Sequence, residues 1–182
     1  VFLTPSGAET TSPYFYQIRG NDLISVVGQH PSNMPAFFGV MQFAGKKGHE
    51  HPNWEGIEMA RGEDKEKVLH SERLVLENVE RFLHYDVWAR TGQSFGQHKV
   101  GRVVDKDMNI VYKRAADGSK SDEEEISNNP DYMSIMEVDG RIFSMIHFES
   151  PRPGVIYLLE FKQHDDGRLE TIRAEPVDAS NV

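Results

Sequence analysis

The sequence predicts a mainly β protein with propeller-blade or sandwich-like antiparallel sheets and one helix around residues 63–83. Three observations carry that expectation. Short runs rich in valine, isoleucine, phenylalanine and tyrosine recur along the chain. Turn signals such as Asp139-Gly140 and Asp165-Asp166-Gly167 separate them. A single stretch, from Glu63 to Leu83, spaces its apolar residues at a helical period instead.

Taken in chain order, residues 14–19 are strand formers that end at Gly20. Residues 23–27 and 37–43 read the same way. Gly20-Asn21-Asp22 and His30-Pro31-Ser32-Asn33 supply the turns between them, giving a meander of short strands. Residues 45–61 are polar and irregular. In the helical stretch, Val68, Leu69, Val75, Leu76, Val79, Phe82 and Leu83 fall at helical spacing. Glu63 and Asp64 suit a helix N-terminus, and Glu63–Lys67 and Glu77–Arg81 are favourable i,i+4 pairs. Leu74-Val75-Leu76 also reads as a strand, and residues 85–90 return to strand character. From Gly92 onward the reading is all β: strands at 100–104 and 110–112, a charged loop at 119–125, and hairpins around Asp139-Gly140 and residues 165–167. A chain of few blades leaves sheet edges to be covered, so a protein partner, or the remainder of the same protein, is expected.

The chain has 182 residues, enough for a single β-rich domain or a partial propeller. Mean hydropathy is -0.55, and no apolar run approaches the ~20 residues that span a bilayer. This predicts a soluble protein without a transmembrane segment. The N-terminal residues Val1-Phe2-Leu3-Thr4-Pro5 lack the basic and apolar regions of a signal peptide and fit an end left by processing. A formal net charge of -9 argues against binding nucleic acid. With no cysteine, the chain holds no disulfide, cysteinate metal site or cysteine nucleophile.

Five groups of residues invite a chemical reading. Gly92-Gln93-Ser94-Phe95-Gly96 matches the nucleophile elbow of serine hydrolases, which requires a helix after the serine; the residues that follow read as a strand, and the expectation is a turn. Asp105-Lys106-Asp107-Met108-Asn109 opens like a calcium loop but has Ile110 where that loop needs glycine and Ala116 where it needs glutamate, so a tight turn is expected. His49 and His51 would share one face of a strand and could share a metal, with further ligands from Glu55 or Glu58. His147 and Glu149 would share a face if their strand runs straight, near Asp131 after the rigid Asn129-Pro130 step. That trio is a candidate to hold a metal or to orient one of its ligands, set against a plain His–Glu hydrogen bond. Ser121-Asp122-Glu123-Glu124-Glu125 is read as a solvated acidic loop.

The C-terminal segments also resemble a known family. Thr91 to Gly96, Val104 to Val111 with Ala116-Asp117-Gly118, Ile126 to Ser134, His147 to Gly154, Tyr157 to Glu160 and Glu175 to Ser180 are similar, in order and spacing, to the early propeller segment of PhoX-type alkaline phosphatases. The resemblance covers roughly residues 88–182 and leaves residues 1–87 unmatched. It implies a large irregular β-propeller, exported, that hydrolyses phosphomonoesters at a calcium and iron cluster. In that family the cysteine and most acidic ligands follow the segment equivalent to Ser180, so no catalytic residue carries over to this chain. Two readings follow. One is the N-terminal portion of a calcium-dependent phosphomonoesterase, not catalytic on its own. The other is a complete non-catalytic module that serves as a binding or structural subunit of a larger assembly.

Overall fold

Strict alternation along the strand Arg141–Phe148 shows how the protein is organised. Ile142, Ser144, Ile146 and Phe148 are buried, while Phe143, Met145 and His147 turn to the other, half-covered face. That period of two is the mark of a sheet with one face on a core. The computed structural model describes residues 2–43, 53–54, 56–76, 79–149 and 154–178. Its strands are β1 (Phe2–Leu3), β2 (Glu9–Thr11), β3 (Phe15–Ile18), β4 (Asn21–Gln29), β5 (Phe37–Phe43), β6 (Asn53–Trp54), β7 (Leu69–His70), β8 (Arg73–Leu76) and β9 (Val79–Arg90). They continue with β10 (Ser94–Phe95), β11 (His98–Lys99), β12 (Tyr112–Arg114), β13 (Lys120–Glu124), β14 (Pro130–Val138), β15 (Arg141–Phe148), β16 (Val155–Gln163) and β17 (Leu169–Pro176). No helix among the described residues is long and apolar enough to cross a membrane.

Two antiparallel sheets face each other. The first is the four-stranded meander β14-β15-β16-β17. Its β14–β15 hairpin closes around Asp139-Gly140, whose φ angles of 49° and 71° place both in the left-handed region that a tight hairpin turn requires. The second has seven strands in the order β2-β4-β5-β9-β8-β6, with β3 also on β4. Its edge is broken: Ser12, at φ 56°, Pro13 and Tyr14 separate β2 from β3, and both strands pair with β4.

The main core fills the space between the sheets. Leu23, Val27, Phe38, Val40 and Trp88 from the seven-stranded sheet pack with Met133, Ile146, Phe148, Tyr157, Leu159 and Phe161 from the meander. A smaller cluster lies on the opposite face of the seven-stranded sheet. There Val26, Phe37, Met41, Leu83 and Tyr85 are covered by Phe2, Met34 and Val68. The central strands β4 and β5 are therefore buried on both faces, which is why residues 23–27 and 37–41 read as apolar runs rather than alternations. Each large apolar side chain removed from water contributes roughly 1.5–3 kcal/mol.

Polar contacts join the sheets along their flanks. The Ser12 hydroxyl accepts a hydrogen bond from the Met133 amide at 2.8 Å, and the Tyr16 hydroxyl donates to the Met133 carbonyl at 3.1 Å. At the other flank Thr171 Oγ1 donates to the Trp88 carbonyl at 2.9 Å. In the middle, the buried Tyr157 hydroxyl lies 2.7 Å from the Lys99 carbonyl and 2.9 Å from that of Arg102.

Two expectations are corrected. The helix around residues 63–83 does not form: among the described residues a 3-10 turn spans Gly62–Glu66, and the strands β7, β8 and β9 follow it. The i,i+4 pairs that favoured a helix are worth only a few tenths of a kcal/mol each. A strand instead puts Leu83 and Tyr85 into the smaller cluster and pairs seven residues of β5 with β9. The β-branched Val75 and Val79 favour the same outcome. The charged loop at 119–125 is also largely a strand: β13 pairs with β12, and the Lys113–Glu123 ion pair at 2.5 Å crosses that ribbon.

Burial pushes the Tyr157 phenol up to about 12 from its ordinary 10.0. The folded protein holds that proton more tightly than the unfolded chain, so this contribution to stability is complete below pH 10 and is lost as pH rises from 10 to about 12. Urea unfolding midpoints should fall across that window, and fall less steeply in Tyr157→Phe. At neutral pH the same variant should lose about 1–2 kcal/mol, because the one hydroxyl proton shared between the Lys99 carbonyl and the buried Arg102 carbonyl is removed.

Candidate functional site

Asparagine in a bend can satisfy backbone groups on several elements at once, since its amide carries both donors and an acceptor. Asn128, half-buried just before β14, does this. Its side-chain oxygen accepts hydrogen bonds from the Ala36 amide at 2.5 Å and from Thr91 Oγ1 at 2.8 Å. Its backbone carbonyl accepts from the His30 amide at 2.8 Å. The Thr91 amide in turn donates to the Ala36 carbonyl at 2.9 Å. Three segments far apart in sequence are thus held by one residue.

The neighbours of Asn128 extend the knot. The Ser127 amide donates to the Gly101 carbonyl at 2.8 Å, and Ser127 Oγ accepts from the Asn129 amide at 3.2 Å. Gly101 has φ 79°, and a Cβ there would stand 2.7 Å from the Ser127 carbonyl oxygen, so only glycine fits. Pro130 opens β14, where a missing N–H is tolerated. The Glu149 amide donates to the Asn129 carbonyl at 3.2 Å, and Glu149 Oε1 accepts from the buried Gln29 amide at 2.8 Å.

The sequence-predicted metal ligands are placed differently from one another. His49 and His51, with Glu55, lie outside the described residues; Glu58 is exposed. Asp131 sits where the β14–β15 register shifts, and its backbone carbonyl accepts from Thr11 Oγ1 at 2.8 Å. His147 pairs across the sheet with Tyr132 and Ile156, on the face away from the core. β15 ends at Phe148, so Glu149 leaves the strand and turns to Gln29. No hydrogen bond or ion pair joins Asp131, His147 and Glu149, and among the described residues no group of three or more His, Asp or Glu side chains gathers as a metal site. These three side chains do not fit a calcium or iron centre as they stand.

Ser94 lies in a two-residue strand that turns back through Gly96 into β11, a strand–turn–strand arrangement without the helix a nucleophile elbow needs. Asp105 caps its own tight turn: its Oδ1 accepts from the Asp107 and Asn109 amides, both at 2.9 Å. Those hydrogen bonds, the Asn109 one first, hold the Asp105 carboxyl below its usual range.

Sequence reasoning missed the polar groups that hold the centre together. Gln29, Thr91 and Ser127 are all buried, yet each stands in sequence beside ordinary turn residues. It also missed Glu124, which lies 2.6 Å from Lys99 Nζ and 3.0 Å from Arg102 Nη1. The hydrogen bond from Lys99, then those from Arg102, hold the Glu124 carboxyl below its usual range. On β9, burial pushes the Asp86 carboxyl up, opposed by His84 at 3.0 Å and by Arg168. Asp86 lines a cavity of about 280 Å³ with Gln93, Phe95 and Arg168; the buried Trp88 Nε1, from the same wall, has no hydrogen-bond partner.

The chain matches no family model, no curated protein and no solved structure.

Asn128→Ala strands the Ala36 amide and the Thr91 hydroxyl together and should lower stability by about 2–3 kcal/mol in urea unfolding. Thr91→Val should cost less, and the double variant less than the sum, because both changes remove one shared contact. The ion pairs of Glu124 are complete above its ordinary value of 4.5 and are lost as pH falls through the lowered one. The stability difference between the protein and Glu124→Gln should therefore shrink as pH drops below 4.5.

Proposed function

We propose that this chain is the N-terminal portion of a PhoX-like, calcium-dependent phosphomonoesterase of β-propeller type, exported, and that it carries no catalytic group of its own. The observation that supports this reading is the knot at Asn128. The segments of the resemblance that begin at Thr91, at Ile126 and at His147 touch one another there, through Thr91, Asn128, Asn129 and Glu149. The meander β14-β15-β16-β17 is also the size and topology of one propeller blade.

In this reading the chain supplies framework. Calcium and iron, which would polarise the phosphoryl oxygens and stabilise the charge that develops on them, would be held by acidic and cysteine ligands from the rest of the longer protein. A second reading, a non-catalytic module that binds a protein partner, is favoured by Val138 and Ile172. They stand exposed on β14 and β17, the two outer strands of the meander.

The test is the denatured intact mass of the protein from its native source, followed by hydrolysis of p-nitrophenyl phosphate with and without a calcium chelator. The expected result is a mass well above 20.7 kDa, with hydrolysis that chelation abolishes and that the isolated 182-residue chain lacks. A native mass of 20.7 kDa with a co-purifying partner would overturn the first reading in favour of the second.

A further inference from the structure

An antiparallel sheet with one face on a core ordinarily turns polar side chains outward. The meander β14-β15-β16-β17 departs from that rule. Alternation along β14, β15 and β16 sends Tyr132, Met136, Phe143, Met145, Ile156 and Leu158 to the face opposite the main core. The ladder sets them side by side: Met136 lies opposite Phe143, and Met145 opposite Leu158. Ser134 and His147 are the polar residues among them, opposite Met145 and Tyr132. Tyr132 is 47% exposed, and the other five apolar residues are half-buried. None of the six belongs to either core cluster. Aromatic residues, methionine and arginine are the side chains that protein interfaces favour.

The charges on this face cancel. Arg141 pairs with Glu160 at 2.6 Å, Arg173 with Glu175 at 2.6 Å, and Lys162 stands opposite Glu170 in the β16–β17 ladder. Glu160 also stands opposite Arg173. Positive and negative groups thus alternate from β15 to β17, in a chain whose formal net charge is -9. A partner of marked charge gains nothing from a face whose charges balance. A second copy fits it: each offers the other an apolar area of its own size, and a small offset sets each arginine against a glutamate. Four strands at ~4.8 Å spacing, each about eight residues long, give each face roughly 500 Å². Two such faces bury roughly 1,000 Å², the low end for specific interfaces, which calls for a reversible dimer. The β14 edge is closed to the same partner. Its Asp131 carbonyl accepts from Thr11, and its Met133 amide and carbonyl are taken up by Ser12 and Tyr16.

We propose that two copies of this chain pair face to face, about a twofold axis, through the outer face of the β14–β17 meander. The proposal concerns association and does not rest on the framework reading above.

The test is sedimentation velocity of the 182-residue chain over a concentration series. A reversible monomer–dimer equilibrium is expected, with a dissociation constant on the order of 10–100 µM. Amide chemical shifts of the unsubstituted chain should change with concentration at Tyr132, Phe143, Met145 and Leu158, which locates the face without any variant. Met145→Lys and Leu158→Glu each set an unpaired charge in the apolar centre and should weaken dimerisation roughly tenfold or more, with near-UV circular dichroism unchanged. Phe82→Ser, at an exposed position of the seven-stranded sheet, should leave it as it was. A chain that stays monomeric at about 500 µM overturns the proposal. So does a dimer that survives both charged substitutions, that shifts amides elsewhere, or that Phe82→Ser abolishes.

Discussion

The contact on which the rest of this structure depends is the aromatic seam between its two sheets. Phe38 meets Phe148 edge-on at 6.4 Å, and Phe148 meets Tyr157 at 5.8 Å. All three are fully buried. Edge-to-face pairs add directional preference to the apolar area they bury, so the seam fixes the register of the two sheets as well as their separation. The Tyr157 hydroxyl then reaches past the seam to the carbonyls of Lys99 and Arg102 and anchors the irregular connection between β11 and β12.

The polar knot at Asn128 is the counterpart of that seam. Chain segments that cross between two packed sheets carry backbone groups into a region without water, and each must find a partner. Asn128, Ser127 and Thr91 provide those partners for Ala36, Asn129 and one another. Glu149 ties the end of β15 to the same place. A cluster of this kind orders a structure by its directionality, whereas a purely apolar junction would let the crossing segments slide.

The two candidate regions of chemistry are unlike one another. The trio Asp131, His147 and Glu149 was a candidate group in sequence and forms no metal cluster in the structure: the register shifts at Asp131, and Glu149, past the end of β15, turns to Gln29. A cavity at Arg90 had no sequence signal, yet it gathers charged groups of both signs and apolar groups from three separate segments. The calcium-loop and nucleophile-elbow resemblances both resolve into tight turns, for the reasons their departures from pattern indicated.

Much of the architecture was legible one segment at a time. Residues 37–43, the hairpin at Asp139-Gly140 and the hairpin at residues 165–167 are local events, governed by side-chain shape and turn chemistry, and the sequence alone determined them. It also determined that these 182 residues carry no thiol and a formal net charge of -9. Only the tertiary structure decided that β7, β8 and β9 are strands, because short-range pairs that favour a helix are weaker than a ladder shared with β5 and a buried face against Phe37 and Met41. Only it decided which polar residues are buried, since Gln29, Ser127 and Thr91 differ from ordinary turn residues solely in what lies across from them. Burial and convergence depend on partners distant in sequence, and one segment read by itself does not contain them.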